Sequence, residues 1–303
     1  EFFHEDRSIY SPRHTLDRLV DDGKVVLHRG LLVESWTEDE TGVRVFARDI
    51  ATQASTTFET RTLLLAAGAI NTSKIVLQSH DDYHTSLPLL ENPALQLPLV
   101  LPEAFGQPLQ TDAFGLVQLN LIWDSPSYAA RLQGSIMEIT APRRGEFFAS
   151  LPYAARDNLA LIRHLLPAMI VMQLFFPGSS QEPGTLQLQR NGRLRITGHP
   201  NTLDLTRLQF LLRYLRKLGA WSFPRLIVRV PTGHAVHYAG SLPMRAVPAQ
   251  YQCDATGRLH GTLNVYIADS ASFSDLPAKN MSFAMMANAM RIAHTVAAQI
   301  RRA

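Results

Sequence analysis

The sequence predicts a mixed α/β fold in which an antiparallel-sheet unit interrupts two flanking α/β stretches. Three observations carry this. The apolar run Leu63-Leu64-Leu65 passes through Ala66-Ala67-Gly68-Ala69-Ile70 into a helix-like stretch at 72–79, the pattern of a strand, a small-residue turn and a helix. Between residues 114 and 197, short β-type runs follow one another, two of them facing across an Asn191-Gly192 turn. Near the C-terminus, a β-type run at 264–268 precedes a long Ala- and Met-rich helix.

Taken in order, Ser11-Pro12 opens a helix that Gly23 stops, with Ser11 as N-cap, Pro12 at the first helical position and Leu16, Leu19 and Val20 on one face. Residues 24–28, 31–37 and 43–49 read as strands, the last two joined by the acidic turn 38–42. From 80 to about 110, Pro88, Pro93, Pro98, Pro102 and Pro108 suggest an irregular crossing between domains. Strands are expected at 114–123, 134–140 and 168–176, and a partly helical excursion at 144–166. A hairpin follows at 185–189 and 193–197, then an amphipathic helix at 202–218 that Gly219 ends. Residues 225–230 bring the chain back to the C-terminal stretch. In the last helix, Phe283, Met286, Ala287, Met290, Ala293, Ala297 and Ile300 recur at three- and four-residue spacing, and the stripe reads as core.

Composition excludes several classes of function. A chain of 303 residues, 46 % apolar, can bury a core and fits two domains at about 150 residues each. Its 29 Lys and Arg against 26 Asp and Glu are scattered rather than massed, which argues against nucleic acid as a partner. The single cysteine, Cys253, excludes an internal disulfide and a multi-cysteine zinc site, and reads as a half-buried small residue. The most apolar stretch, 165–176, contains Pro167 and Gln173 and falls short of the roughly 20 residues a membrane span needs. The sequence begins Glu1-Phe2-Phe3-His4 without a Met or a signal-peptide pattern; cytoplasmic placement is the default expectation, and a preceding segment is expected to be missing.

The residues that carry chemistry gather between Gly233 and Asn280. His237 stands at the head of a His-Tyr-Ala-Gly-Ser turn; it is either a general base titrating near neutral pH or a histidine hydrogen-bonded within its turn. Asp269 follows the 264–268 strand, which puts its carboxylate in a crevice at a sheet edge or makes it a turn former and cap. Ala67 and Gly68 either let backbone approach a ligand or permit close helix-to-strand packing. Asn280 lies just before the last helix. His234 and His237 lack an acidic or cysteine partner at matching spacing, so no metal is expected. None of the 17 glycines stand two apart, so the dinucleotide fingerprint Gly-x-Gly-x-x-Gly is absent.

These motifs resemble one family. His237-Tyr-Ala-Gly240-Ser241-Leu-Pro-Met244 is similar to the His-x-x-Gly-Thr-x-x-Met signature of the glucose-methanol-choline oxidoreductases, with Ser for Thr. The run Gly257 to Asp269 resembles that family's Gly-x-Val-x-Gly-x-x-Asn-Leu-x-Val-x-Asp, and Asn280-Met281-Ser282 its Asn-Pro-Thr/Ser step, with Met for Pro. Upstream, 65–70 is similar to the family's Ala-Ala-Gly-Ala segment and 28–33 to its adenine-side strand.

The resemblance implies a partial Rossmann-like FAD-binding domain (1–80 and 231–303) with an antiparallel-sheet substrate domain (81–230) inserted. It also implies FAD-dependent oxidation of a small-molecule alcohol by a chain that is a fragment of the full enzyme; the electron acceptor is unknown. His237 would accept the alcohol proton and Asn280 would hold the same oxygen. Val33, Ala67, Gly68, Asp269 and Ser270 would approach FAD, and Ser282 would cap the last helix, whose N-terminus would face the flavin. The alternative is a non-catalytic remnant or a partner-dependent subunit without a cofactor of its own.

Overall fold

The computed structural model describes residues 10–108, 117–124, 131–139, 154–178, 183–198, 206–234 and 237–301. Parts of four sequence expectations, at 109–116, 140, 144–153 and 202–205, lie outside the described residues.

Helix α1 (Pro12–Asp21) begins as expected, with the Ser11 side chain accepting from the Arg13 amide and Gly23 at φ +68° beyond its end. Residues 24–28 form no strand. The Lys24 and Val25 amides both turn back to the Leu19 carbonyl, and Val26 is left 79 % exposed with no strand to pair with among the described residues. Strands β1 (Leu31–Asp39), β2 (Gly42–Asp49) and β3 (Ser55–Thr60) make an antiparallel three-stranded sheet whose buried face carries Trp36, Val43 and Val45. The β1–β2 register slips between Val33 and Ser35, a bulge at Glu34.

Strand β4 (Leu63–Leu65) leads into α2 (Ala69–Ser79), which starts three residues earlier than its sequence pattern suggests. The fully buried α2 residues Val76 and Leu77 form the centre of the first core.

The proline-rich stretch is not a crossing. It holds β5 (Ser86–Glu91) and β6 (Ala94–Val100), both internal strands of sheets. Proline is tolerated here because of where its missing N–H would point. Along β6, Val100 bonds to Trp221 and Ala94 accepts from Val230, while Leu101 bonds to Ala168 on the opposite side. Pro98 therefore faces the same side as Val100 and Ala94, where strand pairing covers only Leu95 and Gln96. Its carbonyl is met there by the Ser222 hydroxyl at 2.9 Å, so no ladder bond is lost.

Strand β5 joins β10 (Gly184–Leu188), β11 (Leu194–Thr197) and β13 (Tyr238–Ala239) in a four-stranded sheet of order β11-β10-β5-β13. The hairpin β10–β11 turns as expected at Gly192, φ +75°. Leu87, Leu89, Leu186 and Leu188 pack with Leu65, Val76 and Leu242, so one core draws on residues far apart along the chain.

A third, five-stranded sheet has the order β12-β6-β9-β8-β7, with β7 (Leu119–Trp123), β8 (Leu132–Glu138), β9 (Met169–Phe175) and β12 (Val228–Arg229). On one face, Leu95, Leu97, Leu99, Met172 and Leu174 meet Leu211 and Leu215 of α4 (Thr206–Lys217). The other face meets α3 (Ala155–Leu165), where Ile162 and the following Leu166 pack against Ile139 and Val171.

The C-terminal stretch contributes β14 (Val265–Ile267), parallel to β4, and the 19-residue α5 (Ser282–Ile300). The chain is thus a mixed α/β molecule with antiparallel sheets, as its sequence predicts. The apolar stripe of α5 is not core. Phe283, Met286 and Met290 are 83 %, 36 % and 62 % exposed, because the helix rests on the rest of the chain by a different face. That face holds Ile292 and Val296 against Tyr266, with Tyr266 OH donating to Gln299 and the Arg291 guanidinium to the Ala255 carbonyl. Among the described residues no helix is long and apolar enough to cross a membrane.

Candidate active site around His237

The short strand β13 places His237 beside β5, since Tyr238 pairs with Glu91 and Ala239 with Leu90. Gly240 then turns the chain at φ +71°, and an added Cβ would lie 2.7 Å from Leu90 Cδ1, so the turn requires glycine twice over. Ser241 is fully buried and shares a hydrogen bond of 2.7 Å with Ser73 of α2, which ties this turn to the helix after β4.

His237 is half-buried, its ring 5.0 Å from that of Phe175 at 30°. Its Nδ1 lies 3.2 Å from Oδ1 of Asn92, a side chain with no solvent exposure. The orientation of that amide is fixed from its other end. Asn92 Nδ2 donates to the carbonyls of Phe176 at 2.8 Å and Pro277 at 3.2 Å, and of the two ends of the amide only the NH2 can donate to a carbonyl. Oδ1 therefore faces the imidazole, and Nδ1 must carry the proton it accepts. Nε2 is left with its lone pair and no hydrogen-bond partner among the described residues. Burial lowers the His237 pKa below its ordinary value, keeping the ring neutral.

The side-chain amide that anchors His237 is Asn92. The Asn280 side chain is exposed and has no hydrogen bond to His237 among the described residues. Nothing in the sequence around Asn92 marks it; only its pairing distance from a residue 145 positions away does.

Asp269 is 4 % exposed and its carboxylate is engaged within the chain. One oxygen accepts from the Ala271 amide at 2.9 Å, capping the short 3-10 helix Ser270–Ser272; the other accepts from the Gly68 amide at 2.8 Å and from the Thr72 hydroxyl. Burial raises its pKa above the usual carboxylate range, against the pull of these donors. The residue clasps the β4–α2 turn to the end of β14. Ser270, 3 % exposed, donates to the Tyr238 carbonyl at 2.9 Å and serves the same scaffold.

The β4–α2 turn itself is open. Ala66, Ala67 and Gly68 are exposed at the carboxyl ends of two parallel strands, Gly68 has φ +84°, and nothing lies within 4 Å of an added Cβ. Glycine is there for its backbone angle, with free space in front of it, and not for close helix packing. This crevice is the kind that admits a dinucleotide at a parallel-sheet edge. Val33 lies at the β1 bulge and packs against the first core.

Ser282 does not cap α5. Met281 holds the N-cap position in helical conformation, its carbonyl already accepting from the Met285 amide at 2.8 Å, which leaves Ser282 inside the first turn. No side chain caps this helix.

Cys253 is fully buried, deeper than the half-buried position its sequence suggests, and burial pushes its thiol up to about 12. Among the described residues no group of His, Cys, Asp and Glu is arranged to hold a metal. An open groove of about 550 Å³ runs between β7 and α4, lined by Trp123, Phe210 and Tyr214. No predicted site residue lines it.

Residues 225–289 match the model of the family described as GMC oxidoreductase. No curated protein sequence matches it. Its fold is similar to pyridoxine 4-oxidase from Mesorbium loti, with a TM-score of 0.59 and 16 % identity over 88 % of this chain and 57 % of that one. It is also similar to an FAD-dependent oxidoreductase from Chaetomium thermophilum, with a TM-score of 0.57 and 14 % identity over 94 % of this chain and 64 % of that one. The chain therefore spans about three fifths of the length of these structural relatives.

Proposed function

We propose that this chain provides the substrate-binding and proton-accepting part of an FAD-dependent alcohol oxidoreductase. The observation that carries this is the state of His237: a neutral, half-buried imidazole with its Nδ1 anchored and its Nε2 unpartnered, within the stretch that matches the family. Such a nitrogen takes the hydroxyl proton of an alcohol as its carbon-bound hydrogen leaves with the electron pair. FAD, when bound, supplies the acceptor for that hydride at its N5.

Residues 1–80 and 231–303 are assigned to the cofactor, residues 81–230 to the substrate. The open turn Ala66–Gly68 and the bulged strand at Val33 fit a bound dinucleotide, while Asp269 and Ser270 shape the turn from behind. Asn280, exposed just before α5, is free to reach the substrate oxygen; the uncapped first turn of that helix offers N–H groups to negative charge.

We further propose that a Gly-x-Gly-x-x-Gly strand-turn-helix, absent from this sequence, completes the cofactor site. Two features support it: among the described residues β4 and β14 form a parallel sheet of only two strands, and the α5 stripe of Phe283, Met286 and Met290 is bare. Whether that segment is covalently joined or a partner subunit is decided by producing the chain alone and within any longer reading frame that contains it. Flavin bound and bleached anaerobically by alcohols supports oxidation; flavin bound but unbleached by a broad alcohol panel refutes it.

A further inference from the structure

The second face of the five-stranded sheet has an unusual composition between its two covered ends. At one end Phe175 packs against His237; at the other, Val171 and Ile139 lie under Ile162 and Leu166. The strand register places a polar row between them. Gln96 stands opposite Gln173, Gln173 opposite Ser135, and Ser135 opposite Asn120, across β6, β9, β8 and β7. All four share the face of Phe175, because side chains alternate and Gln173 is two residues from it.

A structural core face would be apolar here, as the opposite face is, with Leu95, Leu97, Met172 and Leu174 all essentially unexposed. Instead Gln96 and Gln173 are half-buried amides with no hydrogen-bond partner among the described residues. The Ser135 hydroxyl, in a residue only 3 % exposed, has none either. Asn120 accepts from Gln133 at 3.2 Å, which extends the row. The buried Ser135 hydroxyl is costly to leave unpaired, and the two half-exposed glutamine amides keep donors and acceptors available to whatever lies against the row.

We propose that Gln96 and Gln173 are the specificity-determining surface for the substrate, an uncharged alcohol bearing further hydroxyl or amide groups beyond the carbon that is oxidised. The row carries no charge, so it selects neither a cation nor a carboxylate. It offers donors and acceptors in an apolar frame, with Phe175 bridging it to His237. This rests on the reading of His237 as the base that meets the substrate hydroxyl.

The test uses sorbitol and 1-hexanol as probes. The side-chain amide resonances of Gln96 and Gln173, assigned with Gln96→Leu and Gln173→Leu, are followed in the 15N spectrum of the full chain as each probe is added. Sorbitol should move both amides and hexanol neither, and each leucine variant should weaken sorbitol binding about tenfold. Equal or stronger effects of hexanol, or sorbitol binding unchanged in both variants, would overturn the proposal. The FAD-loaded protein separates the two readings. If no alcohol bleaches flavin while sorbitol still moves the amides, the row stands and oxidation fails. If alcohols bleach flavin without regard to their polar groups, oxidation stands and the row fails.

Discussion

Replacing Asp269 by Ala should loosen the turn on which the proposed cofactor site is built. Three donors lose their acceptor: the Ala271 amide, the Thr72 hydroxyl and the Gly68 amide. Thr72 and Ala271 have no solvent exposure, so neither recovers a bond to water, at about 1–3 kcal/mol each. Gly68 is exposed and turns to solvent at little cost. Removing a buried carboxylate returns part of its desolvation penalty, leaving a net loss of about 2–4 kcal/mol. Asp269→Asn keeps one acceptor and should lose roughly half as much. Urea melts followed by far-UV circular dichroism measure both. A loss below about 0.5 kcal/mol for the alanine variant, the range of an ordinary surface change, would refute the clasp. Because the folded pKa of Asp269 is raised, its protonated form is favoured by folding. Stability from this shift is present below the unfolded value, about 3.9, and is lost as pH rises through the folded one. The gap between the wild type and Asp269→Asn should therefore widen as pH falls toward 4.

Gly240→Ala should cost about 2–5 kcal/mol, from a left-handed φ of +71° and a Cβ 2.7 Å from Leu90 and 3.2 Å from the Phe273 carbonyl, read by the same melts. The depressed His237 pKa places the acid limb of kcat/KM below pH about 6.5. Its stability contribution, present above that unfolded value, should fall away as pH drops toward the folded pKa, and His237→Gln should remove that slope. Histidine 15N spectra should show His237 protonated at Nδ1, and Asn92→Leu should release that preference; a neutral ring protonated at Nε2 in the wild type contradicts the Asn92 contact. Phe283→Ser with Met290→Ser should leave the stability of this chain within about 0.5 kcal/mol for each change while lowering flavin retention in the completed protein.

Much of the fold was legible because local signals agreed with tertiary packing. Ser11, Gly23, Gly192 and Gly219 mark ends and turns whose backbone angles the structure requires. The prolines misled because their meaning is directional: Pro98 breaks a ladder only if a strand faces its nitrogen, and among the described residues none does. The α5 stripe misled for another reason. Periodicity reports that a helix has an apolar face, not which neighbour is there to cover it, and here Ile292 and Val296 make the contact. In the site, His237 was legible from its motif, whereas Asn92 was not, since its role arises from three bonds to segments distant in sequence. The polar row was equally hidden: Gln96, Gln173, Ser135 and Asn120 come into line only once strand register is known.

The most direct test of His237 as the base is anaerobic bleaching of bound FAD by alcohols in the protein and in His237→Gln, each checked first for equal flavin content. Rapid bleaching by the protein, and a rate lowered about 100-fold or more in the variant, is the predicted result. Equal rates at equal flavin content would contradict it.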